Sequence, residues 1–547
     1  MSEPTKNNVD EELKQNQRTL AKSSIFSLLY KYGVQIFSIF TSILMARIVS
    51  QAEWGLLILA ISYTGIFSQI ISYLPPGLDS TLNYYIPRYI GLNKYNSLKS
   101  LIKNMFFIRV VILIPACVIL LLFIFFLSNI FFINLNESIY LLYIMFPIVI
   151  VSGINQILAG INRGFNMFKL MFQLLVLSNA IYLGGLIVFF LFLRNIGIEP
   201  IAILYTISII IPFLINLLLM IIKLIKLKKK SNDLNSSFRA DLKKIISYGT
   251  PVTLTVSMYY LWEQIQIQAI GTFQPTEVVT GFSIAKNYSQ NSINAVTGFN
   301  EPLITSVSKL HSQKNFNEIN KIYNTINKFS VFILFILTGT LYFLADFFLK
   351  FIYGESYLIF SIYLRILLFA FMFRIFLNMF ETYVLATNKV KLLPIYKSIA
   401  IIILAILFFF GLMYYGILGA LVGLLLGNIA LFVMYLFLTL KFLSIKLKSI
   451  FLQYCTFFIS FAITLFLQLL FFQNFEDQIF ISLNLGLFQN LHLLAIIIFL
   501  GIYLCLNIIF RIFTKKDIED VESFFRKDTM SHRFIKKVLN ITKKVVR

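Results

Sequence analysis

Cysteine, histidine and acidic charge are scarce in this chain of 547 residues. Its three cysteines, Cys117, Cys455 and Cys505, all fall in apolar runs, which argues against a disulfide framework or a thiolate metal site. His311, His492 and His532 are scattered, so no histidine cluster offers itself to a metal. No G-x-x-x-x-G-K-[ST] phosphate loop occurs, which excludes nucleotide hydrolysis through that motif. The first 23 residues carry both charge signs and no apolar core, so no cleaved signal peptide is expected before the first apolar run. No cofactor is called for.

Apolar side chains are abundant instead. Hydrophobic residues make up 59% of the chain, aromatics 16%, and mean hydropathy is +0.83, values that belong to a polytopic membrane protein. A helix needs about 20 apolar residues to cross the hydrocarbon layer. Fourteen such runs lie near residues 24–48, 54–85, 105–128, 139–161, 170–193, 200–222, 246–271, 277–300, 328–350, 357–383, 393–413, 416–438, 450–472 and 486–510. The fold class is therefore all-α. Pro75, Pro76 and Gly77 interrupt the second run and predict a kink there. The eighth, "SIAKNYSQNSINAVTGFN", is too polar to face lipid and must pack against protein or water.

Charge sets the expected orientation. Of the 47 Lys and Arg, Arg47, Arg194 and Lys350 fall at outer ends; Lys31, Arg109, Lys286, Arg365 and Arg374 fall inside spans. All the others share one side, and basic residues favour the cytoplasm, so both termini are expected there, in the cell membrane. The net charge of +23 then reads as an orientation and anionic-lipid signal, with "KLIKLKKK" closing the sixth span, and not as a nucleic-acid footprint. No outward loop exceeds about a dozen residues, too little for the extracytoplasmic domain that a membrane glycosyltransferase or polymerase needs.

Two halves echo each other. "SQAEWGLLILAIS" (50–62) and "QPTEVVTGFSIAKN" (274–287) place Glu53 and Glu277 in corresponding positions. "NKYNSLKSLIKN" (93–104) is echoed by "QKNFNEINKIYN" (313–324), each read as a short cytoplasmic amphipathic helix after a proline, Pro87 or Pro302. The shared offset of about 220 residues predicts two six-span repeats with two spans appended. The expected division is a tail (1–23), a first lobe (24–222), a basic linker (223–245), a second lobe (246–438), the last two spans (439–510) and a basic tail (511–547).

The stretches "ARIVSQAEWGLLILAIS" (46–62), "GLDSTLNYYIPRYIG" (77–91) and "FIYGESYLIFSIYLRIL" (351–367) resemble the Wzx-type polysaccharide flippases, in the superfamily that also holds the lipid II flippase and the MATE drug exporters. The resemblance implies two six-helix lobes in a V around a cavity open to each side in turn. It also implies a transporter rather than an enzyme. Its cargo would be an oligosaccharide on a polyprenyl phosphate or pyrophosphate, moved from the cytoplasmic to the outer leaflet, with other polysaccharide-assembly proteins as candidate partners. The rival reading is a MATE-type exporter of drugs or metabolites, which predicts an acidic cavity.

Charged and polar side chains inside spans are the candidate substrate site, because a charge in hydrocarbon costs about 2.5–3.5 kcal/mol on insertion scales and is retained for a purpose. Lys31 lies in a stripe with Ser24, Ser27, Gln35, Ser38 and Ser42, spaced by three and four along one helix face. Snorkelling is the alternative, since Lys31 is about 10 Å from the start of its run at 1.5 Å per residue. Tyr259, Glu263 and Gln266 share a face of the seventh span, Lys286, Gln290 and Asn294 one of the eighth, and Arg374, Asn378 and Glu381 one of the tenth. Asp79, just past the kink, is placed at an inner gate. Structural pairing, Glu263 with Lys286 for instance, is the competing reading. Arg365, on the opposite face from Arg374, and Arg109, near a cytoplasmic end, are read as structural or snorkelling. Lys and Arg suit phosphate; Gln, Asn, Ser and Tyr suit sugar hydroxyls.

Overall fold

The computed structural model describes residues 33–72, 74–92, 94–130, 136–193, 197–226, 237–246, 250–297, 314–387, 392–443, 447–472 and 492–513, with isolated positions 303, 307, 311 and 389. Lys31, Ser24, Ser27, Arg194, the first tail and residues 514–547 of the second lie outside the described residues. Every described element is helical, and each expected span overlaps a helix. Among the described residues nine helices are long and apolar enough to cross a membrane, and three shorter apolar helices accompany them. By contact the chain forms two compact units. The first ends at Ser283 and takes in Val390–Ile401; the second comprises Ile284–Lys389 and resumes at Ile402.

In the first unit, α1 (Gly33–Ile48) is followed by α2 (Gln51–Ser72), whose start is a capping box: Ser50 donates its backbone N–H to Glu53 Oε2 at 2.9 Å while the Glu53 N–H reaches Ser50 Oγ at 3.3 Å. The second run breaks where its prolines predict. α2 ends at Ser72 and α3 (Leu78–Gly91) begins after Gly77, which adopts φ 87°, a conformation open to glycine. The carbonyls freed at this break need donors, and Arg109 supplies them, giving hydrogen bonds to Ile71 O (2.5 Å) and Leu74 O (3.2 Å) and holding Gln156 Oε1 at 2.5 Å. Arg109 is fully buried, which makes it a structural clamp and rules out snorkelling.

The segments 93–104 and 313–324 are not separate amphipathic helices. No breaker separates either from the span that follows, so each runs on into one rod, α4 (Tyr95–Ile130) and, in the second unit, α11 (Phe316–Tyr353). The correction falls on both copies alike. α5 (Asn136–Gly164) packs along α3 through Gly160 and Gly164, where a Cβ would lie 2.7 Å from Asp79 O and 2.8 Å from Ile86 Cβ. α6 (Phe168–Phe192) buries only Tyr182 and Leu186 and otherwise shows an apolar surface suited to lipid. α7 (Ile198–Lys226) leads to the short α8 (Phe238–Lys244), tied down by Asp241, which accepts from Asn104 Nδ2 (2.9 Å) and Lys244 Nζ (2.6 Å). α9 (Thr250–Phe273) lies against α2: Gln268 Nε2 donates to Leu59 O (3.0 Å) and Ser62 Oγ to Gln264 O (3.2 Å). α10 (Thr276–Thr297) starts against the start of α2, with Thr280 Oγ1 donating to Gln51 O at 2.7 Å. Its polar sequence is largely buried, as its composition demands.

In the second unit the tenth run is not one helix. A 3-10 turn (Glu355–Phe360) precedes α12 (Ser361–Met372), and Phe373 and Arg374 form a break before α13 (Ile375–Ala386). α14 (Leu392–Phe442) folds back on itself at Gly416 (φ 62°, ψ −152°), so it contains the eleventh and twelfth runs as a hairpin. Gly419, Gly423 and Gly427 line that seam at four-residue steps; a Cβ on Gly423 would collide with the Leu407 carbonyl. α15 (Leu447–Leu467) and α16 (His492–Ile509) dock on α11 through aromatic rings.

Candidate functional site

The expected site residues sit in two environments, one in each unit. On α1, Gln35 is half-buried, and the stripe's serines turn back on their own helix: Ser38 Oγ donates to Gln35 O and Ser42 Oγ to Ile39 O, both at 2.8 Å. Back-bonded hydroxyls need no polar neighbour, so these serines do not by themselves demand a cavity. Asp79, in the first turn of α3, lies 3.7 Å from Arg163 Nη1 of α5, with 16% of its side chain exposed. A partly exposed pair of this kind contributes at most about 1 kcal/mol. Tyr259 and Glu263 share the inner part of α9 and are half-buried.

Lys397 is the residue the sequence pattern missed. It flanks an apolar run and reads as a boundary charge, yet its Nζ lies 5.7 Å from the centre of the Tyr259 ring, within cation–π range.

Beside the clamp Arg109 of the first unit, the second unit holds two further buried cations. Lys286 is 7% exposed on α10, with half-buried Gln290 one turn further on. Arg374 is 8% exposed and stands at the break between α12 and α13, where Nε donates to Asn428 Oδ1 at 2.7 Å and the guanidinium lies 4.0 Å from the Phe371 ring centre. Asn428 is itself fully buried and anchored to Leu424 O (2.7 Å), so the guanidinium is oriented as well as charged. Asn378 follows one turn along α13, half-buried, with its backbone N–H on Arg374 O at 3.3 Å. Arg365 is drawn away into an ion pair with Asp346 at 2.6 Å, capped by the Tyr342 ring, which fits its structural reading.

One further feature lies wholly in the first unit. α5, α6 and α7 enclose a partly open cavity of about 170 Å³, with Asn155, Asn162, Ser178 and Asn216 among its lining. Asn162 and Asn216 are buried and joined through Nδ2 to Oδ1 at 3.0 Å.

Comparison with known proteins gives a concordant result. The profile of the family described as "Polysaccharide biosynthesis protein" matches residues 20–308, more than half of the chain. No curated protein sequence matches. Among solved structures, the lipid II flippase MurJ in an inward closed conformation is similar over 89% of this chain and 98% of its own, with TM-score 0.64 and 18% identity. An inward-facing multidrug resistance MATE transporter of the MOP superfamily covers 74% and 94%, with TM-score 0.60 and 14% identity. A MOP superfamily transporter from Pyrococcus furiosus, described by a reversed polarity of its binding pocket, covers 76% and 93%, with TM-score 0.55 and 14% identity. At such identities the likeness is one of fold, and every one of these folds is a membrane transporter's. With residues 20–308 matched, the chain belongs to the polysaccharide biosynthesis protein family.

Proposed function

We propose that this protein carries a polyprenyl phosphate- or pyrophosphate-linked oligosaccharide from the cytoplasmic to the outer leaflet of the cell membrane by alternating access. The observation that carries the reading is a pair of cations, Lys286 and Arg374, each more than nine-tenths buried in the second unit of an apolar chain. Burying a cation in a span is costly, and a charged donor that is already desolvated and oriented binds phosphate more strongly than one in water. The neutral amides Gln35, Gln290 and Asn378 suit sugar hydroxyls, and the prenyl tail can stay in lipid. Asp79, Tyr259 and Glu263 belong to the same proposed path.

Alternating access fits a chain with two compact units and with repeated helix starts at Glu53 and Glu277. The lobe boundaries expected from sequence, both termini in the cytoplasm and binding of anionic lipids at the basic segments belong to the same proposal. The acidic residues Asp79 and Glu263 favour the rival, a MATE-type exporter, which would move a cationic dye and leave lipid-linked glycan in place.

The deciding experiment is translocation of a fluorescent lipid-linked oligosaccharide by purified protein in proteoliposomes, with a cationic dye as the second arm. Movement of the glycan alone supports the flippase; movement of the dye alone replaces it with the exporter. Within that assay, Lys31→Ala is expected to abolish flipping at matched protein level and Lys31→Arg to keep part of it. Wild-type flipping by Lys31→Ala would return Lys31 to the headgroups.

A further inference from the structure

The cavity between α5, α6 and α7 has a chemistry unlike that of the proposed phosphate path. Among the described residues, none of the side chains lining it is charged. Its polar groups are amides and a hydroxyl: Asn155, exposed at the mouth, Asn162 and Asn216 within, and Ser178 on α6. Asn162 is 1% exposed, and after its Nδ2 is given to Asn216 its carbonyl oxygen has no hydrogen-bond partner among the described residues. A buried acceptor left unsatisfied is costly, and although this oxygen is covered in the empty cavity, a small turn of the Asn162 amide toward the space it lines would let a donor from outside satisfy it.

Size and shape narrow the donor. A closed cavity of about 150 Å³ holds a bare benzene ring; this one measures about 170 Å³ and is partly open, so a sugar ring would enter by one edge and leave its remaining hydroxyls at the mouth. Phe213 and Met171 add apolar wall to the amide edges. A pyranose ring has this split character, with hydroxyls around its rim, each both donor and acceptor, and C–H groups on its faces. A phosphate would demand a cation and a metal ion a carboxylate, neither of which the described lining offers, and a prenyl chain would leave the amides unpaired.

We propose that this cavity is a subsite for one neutral sugar ring of the glycan, separate from the cations that would hold the carrier phosphate. The inference rests on the flippase reading and sharpens it: glycan selectivity would reside in the first unit and recognition of the carrier elsewhere.

The test uses the full chain in nanodiscs with Cys117, Cys455 and Cys505 replaced and Ser178→Cys as reporter. The rate of labelling by a small neutral thiol reagent is measured with a panel of free hexoses and N-acetylhexosamines, with polyprenyl phosphate lacking sugar, and with sodium exchanged for choline. At least one sugar is expected to slow labelling about tenfold, and Asn162→Ala to raise the sugar concentration required by about tenfold, as loss of a buried hydrogen bond implies. Absence of protection by every sugar, equal protection by the bare carrier or by sodium, or a thiol that never reacts would each overturn the proposal. The same Ser178→Cys protein is assayed for flipping before labelling. Flipping without sugar protection removes the subsite and leaves the flippase; sugar protection without glycan movement does the reverse.

Discussion

Two helix trios, one in each unit, solve the problem of packing in opposite ways. α5, α6 and α7 meet around an amide-lined space that their side chains leave open. α11, α15 and α16 meet through rings: Phe335 lies 4.6 Å from Phe457, Tyr342 4.7 Å from Phe461, and Phe332 stacks on Tyr503 at 5.6 Å and 22°. A Cβ on Gly339 would collide with Phe499, so that seam has no spare volume. Lipid offers helices little hydrophobic drive to associate, and the interface must be won by shape or by polar contact. Shape fixes α15 and α16 on α11. Polar contact leaves room for a ligand.

Removing shape from the second trio should have the largest effect. Phe457 is fully buried, and Phe457→Ala is expected to lower stability by about 3 kcal/mol or more, seen as a fall in melting temperature of the purified protein. A change near zero would mean that α15 and α16 are held by something other than these rings. Next comes the oriented cation. Arg374→Ala should abolish glycan flipping with folding retained, while Arg374→Lys, which keeps charge but loses the fork held by Asn428, should recover only a fraction. Equal activity of both variants would show that orientation is irrelevant.

The polar trio should respond more mildly and non-additively. Asn216→Ala orphans both polar ends of the buried Asn162 amide and should cost about 1–3 kcal/mol. The double change Asn162→Leu with Asn216→Leu should cost less than the sum of the two single changes, a coupling readable by a double-mutant cycle. The smallest effect belongs to α8. Burial alone lowers the pKa of Lys244, but its hydrogen bonds to Asp241 and to Tyr89 (2.6 Å) more than offset this, so the net shift is upward. A raised amine pKa stabilises the fold below the ordinary lysine value of 10.5, and that contribution disappears as pH climbs through the higher folded value. The stability lost in Lys244→Met, read as a difference in melting temperature from the wild type at each pH, should therefore be full at neutral pH and shrink as pH climbs above about 10.5.

Much of this was legible in the sequence, for reasons that differ by element. Apolar length locates a helix whatever it packs on, so each expected run met one. Pro75, Pro76 and Gly77 act through their own backbone and broke the second run where they stand. The break at Phe373 and Arg374 carries no proline or glycine, and only packing imposes it. The joining of 93–104 to α4 was hidden because a change from polar to apolar composition looks like a boundary, although nothing in it stops a helix. Lys286 and Arg374 could be picked out by their charge alone. Lys397 and the Asn162–Asn216 pair could not, because their partners are about 140 and 54 residues away and carry no signal in any local window.

The uninterrupted length of α4 has a mechanical consequence. A helix of 36 residues, with Pro115 inside it, is about 54 Å long at 1.5 Å per residue, roughly 24 Å more than an upright crossing of a hydrocarbon layer of about 30 Å needs. Tilting that rod by about ten degrees sweeps its free end through roughly 4 Å. The helix is a lever: a change of tilt too small to notice among packed side chains is enlarged at its far end.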